Sequence, residues 1–74
     1  MFPIFSDVLL RDVAASLESA LGRSGIVNIA SLAEEIRVRN ADENVAVEDI
    51  AHELMRRAQT HNAIMEFDAT PAGR

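Results

Sequence analysis

Apolar residues recur at steps of three and four along most of the chain, a period that belongs to helices. In the first stretch Leu10, Val13, Ala14, Leu17 and Leu21 form one stripe, which Leu9 and Ala20 widen. Leu32 and Ile36 mark a second stretch, and Ile50, Ala51, Leu54 and Ala58 a third. Two short segments break the period. Ile26-Val27-Asn28-Ile29 is rich in β-branched residues. Ala63-Ile64-Met65-Glu66-Phe67-Asp68 alternates, with Met65 and Phe67 on one face. Both read as short strands. The pattern predicts a mostly α domain with three helices and a small two-stranded β-sheet. Its order is helix, strand, helix, helix, strand.

Local signals place the boundaries. The first helix is expected from about Asp7 to Leu21, with Ser6 as its N-cap. Phe5 and Leu10 are spaced for a hydrophobic staple across that cap. Gly22 or Gly25 can take the left-handed conformation that stops the helix, and Arg23 suits its negative end. Ser31-Leu32-Ala33-Glu34 fits the S-x-x-E capping box of a second helix, ending near Arg39 or Asn40. Asn40-Ala41-Asp42-Glu43-Asn44 reads as a polar connection. The third helix is expected from about Val47 to His61. Glu48 and Asp49 face its positive end, and Asn62 is a stop. Leu17, Leu32, Ile36, Ile50 and Leu54 are the predicted meeting point of the three helices.

With 74 residues and no cysteine, the chain holds one small domain. We expect it to span residues 1–68, with 69–74 as a flexible tail. Disulfides, thiolate zinc sites and a cysteine nucleophile are excluded. A dinucleotide-binding fold or a barrel would need far more chain. Hydrophobic residues make up 49% of the sequence, enough for a core. A core this small barely offsets the entropy of ordering the chain, which favours oligomerisation.

The formal net charge is -5, and all seven bases are arginine. An acidic field repels phosphate, so it leaves DNA a possible but disfavoured partner. No apolar run approaches the 18 or so residues of a membrane span. Met1-Phe2-Pro3-Ile4-Phe5 is followed by Asp7 instead of a long apolar stretch, and we expect a cytoplasmic protein. Twelve alanines and the absence of lysine suggest a bacterial source.

Candidate chemistry is sparse. His52, Arg56 and Gln59 share one outward face of the third helix and could meet phosphates and base edges. Three acid-first pairs, Asp7 with Arg11, Glu35 with Arg39 and Glu53 with Arg57, assign their arginines to helix surfaces instead. Glu48, Asp49 and Glu53 on the third helix would repel phosphate. His52 and His61 lie on opposite sides of that helix and cannot share a metal ion. Asp49 or Glu48 with His52 supplies only two ligands. Ser6 and Ser31 are used as caps. Ser16, Ser19 and Ser24 have no nearby histidine in sequence, and no G-x-S-x-G elbow is present. An acidic carrier protein would need a modifiable Asp-Ser-Leu, which is absent. We expect no catalytic residue, no metal and no cofactor.

The element order resembles a winged-helix or helix-turn-helix domain. Val27-Asn28-Ile29 matches the short strand between the first two helices. The segment from Ile29 to Ile36 matches the second helix and its entry. Val47 to His61 takes the place of the recognition helix, and Ile64 to Phe67 that of the first wing strand. The resemblance implies DNA contact through bases on the third helix and wing. The link between helices two and three is longer than the usual tight turn. After Asp68 six residues remain, among them Pro71 and Gly73, too few for a second wing strand.

The aromatic residues Phe2, Phe5 and Phe67 lie near the two ends of the sequence. Phe2, Ile4, Phe5, Met65 and Phe67 form the candidate interface, because a two-stranded sheet leaves unpaired edges that invite another chain. The leading expectation is a non-enzymatic interaction module that pairs with itself, as a homodimer, or with a protein partner. The alternative is a DNA-binding transcriptional regulator on the same core, with His52, Arg56 and Gln59 as its contacts. An enzyme accessory subunit is a more distant third.

Overall fold

The computed structural model describes residues 5–67. Phe2, Ile4 and the tail 69–74 lie outside the described residues. Three helices and a two-stranded sheet follow one another as α1 (Asp7–Arg23), β1 (Ile26–Asn28), α2 (Ile29–Arg39), α3 (Val47–Thr60) and β2 (Ile64–Glu66). A single 3-10 turn, Ala41–Glu43, occupies the polar connection between α2 and α3.

Ser6 caps α1. Its hydroxyl accepts from the Leu9 amide at 3.1 Å and donates to the Glu43 carboxylate at 2.7 Å, 37 positions away. One side chain thus starts α1 and ties that start to the turn after α2. α1 runs two residues past the expected end, through Gly22. It closes at Gly25, whose φ of 75° is left-handed and whose amide reaches back to the Leu21 carbonyl at 3.1 Å. That single bond is the simple left-handed cap.

α2 begins earlier than the capping-box pattern suggests. Asn28, the last residue of β1, is the N-cap and accepts from the Ser31 amide at 3.0 Å. Ser31 therefore lies inside the helix, and Glu34 turns outward to Arg37 instead of back to a cap. The strand passes into the helix without a loop, because Asn28 can hold extended backbone while its side chain serves the next turn.

α3 ends in a Schellman motif. Asn62 has φ 54°, its amide bonds the Gln59 carbonyl, and the Ala63 amide bonds the Ala58 carbonyl, both at 3.1 Å. The two helix endings aim β1 and β2 in the same direction. The strands pair in parallel, with Ile26 opposite Ile64, Val27 opposite Met65 and Asn28 opposite Glu66. Parallel strands need a crossover between them, and here α2 and α3 supply it.

Leu17, Leu32, Ile36, Ile50 and Leu54 meet in one core with Leu9, Val13, Val27, Ile29 and Ala58. α2 and α3 pack most closely, and α1 lies across both. The buried side of α1 is Leu9, Val13, Leu17 and Ala20. Leu10, Ala14 and Leu21 are only half-buried, so the inner face is rotated from the expected stripe toward Leu9 and Ala20. Val27 and Met65 are the sheet's inward residues, and the sheet packs against all three helices.

Candidate interaction surface

The two strands alternate in phase. Val27 is fully buried, and Met65 packs half-buried against the core. Their neighbours Ile26 and Ile64 stand side by side on the opposite face, 39% and 64% exposed. Phe67, just beyond β2, is 56% exposed. Asn28 and Glu66 complete the outward row. Each strand has one strand partner among the described residues, and the Ile26 amide and carbonyl of β1 also meet the Ser24 hydroxyl, at 3.2 and 3.4 Å.

The predicted interface is thereby divided. Phe5 and Met65 rest against the core, while Phe67 faces solvent. The alternation rule put Met65 and Phe67 on one face. β2 ends at Glu66, and the rule does not extend past the strand. Ile26 and Ile64 were not singled out from the sequence. The signal was there: if Val27 and Met65 face inward, the preceding isoleucines face out.

The candidate nucleic-acid face is also placed. His52, Arg56 and Gln59 are all exposed along α3. Arg56 is engaged within its own helix, donating to both oxygens of Glu53 at 3.3 and 2.6 Å. Arg57 donates to the same carboxylate at 2.7 Å. Partial burial works to raise the Glu53 pKa, and the two guanidiniums outweigh it and hold the group below its ordinary value. Two cations share one anion here, which lowers the positive potential that this face offers to phosphate. Among the described residues no three histidine, aspartate or glutamate side chains gather to hold a metal ion.

A second charged cluster joins α1 to the end of α2. Arg39 grips Asp12 through two hydrogen bonds of 3.1 and 2.7 Å, and Asn40 donates to the same carboxylate at 2.7 Å. Ser16 donates to it at 2.9 Å. These partners, Arg39 foremost, pull the Asp12 carboxyl down to about 2, although partial burial opposes them. The predicted partner of Arg39, Glu35, is 3.8 Å away and secondary. Asp7 and Arg11, another predicted pair, form no ion pair among the described residues. No buried side-chain polar atom among those residues lacks a hydrogen-bond partner. The Asp12 cluster is a satisfied clamp between helices and leaves no group free for chemistry.

No helix among the described residues is long and apolar enough to cross a membrane. Comparison with protein-family models, with curated proteins and with solved structures found no match.

Proposed function

We propose that the chain is a small non-enzymatic interaction module that pairs with a second copy of itself through the outer face of its sheet. The observation that carries this reading is the solvent-facing pair Ile26 and Ile64, extended by Phe67. A twofold axis would set that patch against itself, so one surface serves both partners. With only three exposed apolar side chains in the patch, the association is expected to be weak and reversible. On this reading the protein works in the bacterial cytoplasm. Comparing the solution mass of the parent with that of Ile64→Lys over a concentration series tests the reading.

A DNA-binding regulator remains the second reading. The winged-helix-like order of elements and the exposed His52, Arg56 and Gln59 favour it. The Glu53 pairing of both arginines, the parallel sheet without a following strand among the described residues, and the net charge of -5 count against it. In both readings the chemistry is recognition without catalysis.

A further inference from the structure

The first turns of α2 and α3 border an open groove of about 590 Å³. Half-buried Ala30, Val47 and Ala51 line it above the fully buried Ala33, with Ser31, Glu34 and Glu48. The four apolar side chains are all small, so the groove exists because neither helix fills it. Its volume is in the range of ligand sites, but it is open along one side. An open trough between two helices suits side chains presented on a third helix better than a small molecule that must be enclosed.

The charges on the lining are all negative. Glu34 is bridged by Arg37. Glu48 is exposed and in the first turn of α3. It has no ion-pair partner among the described residues. An occupant that buried apolar groups here while placing a carboxylate or phosphate at the rim would meet repulsion. A cation at the rim would meet Glu48.

We propose that this groove docks a short amphipathic helix of a partner protein, with an apolar side chain seated on the alanines and a lysine or arginine reaching Glu48. A nucleic acid has the wrong sign for Glu48. A second copy of this acidic chain is a poorer match than a basic segment, since like net charges repel. The groove lining contains none of Ile26, Ile64 and Phe67, so the proposal does not rest on self-association.

The test is panning a display library of random short peptides against the full chain, with an Ala51→Glu variant as counter-selection. Ala51 is half-buried at the groove, so a glutamate there obstructs the trough without entering the core. The expected result is enrichment of peptides that combine an apolar anchor with lysine or arginine. A selected peptide should bind at least about tenfold more weakly to Ala51→Glu, the loss of about 1.4 kcal/mol. It should bind severalfold more weakly to Glu48→Arg, and equally well to Ile64→Lys. Thermal melts of the variants matching the parent show that the fold is kept. No enrichment over the counter-selection, enrichment of acidic peptides, or binding indifferent to both groove variants would overturn the proposal. Loss of self-association in Ala51→Glu would assign the groove to a second copy and overturn it as well.

Discussion

The Arg39 guanidinium and the Asp12 carboxylate meet through two hydrogen bonds although 27 positions separate them. The pair fixes the last turn of α2 against the middle of α1, and Asn40, buried beside it, spends its amide on the same carboxylate and on the Ile36 carbonyl. The Asp12 pKa lies at about 2, below the ordinary aspartate value of 3.8. A depressed carboxylate stabilises the folded state above its unfolded pKa, and the contribution fades as pH falls toward the folded one. Asp12→Asn should therefore cost about 1.5–3 kcal/mol near neutral pH, the range for hydrogen bonds to charged groups. The gap between parent and variant should close as pH drops from about 4 to about 2. Urea titrations at several pH values measure it, and a gap constant over that window would contradict the assignment.

The same substitution should act with opposite sign at two glycines three residues apart. Gly22 is helical, exposed and open on its Cβ side, so Gly22→Ala should stabilise by about 0.5–1 kcal/mol through helix propensity alone. Gly25 is equally open, but its φ of 75° is strained for any residue with a Cβ, so Gly25→Ala should destabilise by about 1–2 kcal/mol. Melting temperatures moving in the same direction for both variants would contradict this account of how α1 ends.

Leu54 is fully buried among the helices. Leu54→Ala should cost about 2–5 kcal/mol in denaturant titration. A loss below about 0.5 kcal/mol, the scale of ordinary surface changes, would move Leu54 out of the core.

Random duplex DNA should not bind at physiological salt, because Arg56 and Arg57 already share Glu53 and the chain is acidic overall. A saturable shift in a titration would promote the regulator reading. In that case Arg56→Ala should weaken binding and flatten its salt dependence.

Much of the fold was legible because its signals are local. Ser6, Leu17 and Leu54 on their helices, and Asn62 as a stop each act over a few residues and stand where the sequence puts them, and the two strands lie within the expected segments but are shorter, Ile26–Asn28 and Ile64–Glu66. Non-local effects were not legible. Asn28 and Ser31 are both good caps, and only the pairing of β1 with β2 holds Asn28 in the extended backbone that makes it the cap. Arg39 has Glu35 one turn away, yet packing brings it Asp12. The rotation of α1 toward Leu9 follows from what α2 and α3 place beneath it, which no period along α1 records. The sheet's parallel direction depends on the two helix endings together, and with it the outward pairing of Ile26 and Ile64.

That pairing is the centre of the account, and sedimentation of the parent and Ile64→Lys over a concentration series tests it most directly. The exposed position of Ile64 means that lysine should leave stability within about 0.5 kcal/mol of the parent. The parent's mass should rise toward twice that of one chain, with a Kd on the order of 10–100 μM for so small a contact. Added salt should strengthen it by screening two acidic copies from each other. Ile64→Lys should weaken the association at least about tenfold, a loss of roughly 1.4 kcal/mol. A parent that stays monomeric at about ten times that Kd range, or an Ile64→Lys variant that associates as well as the parent, would contradict the claim that this face joins two copies.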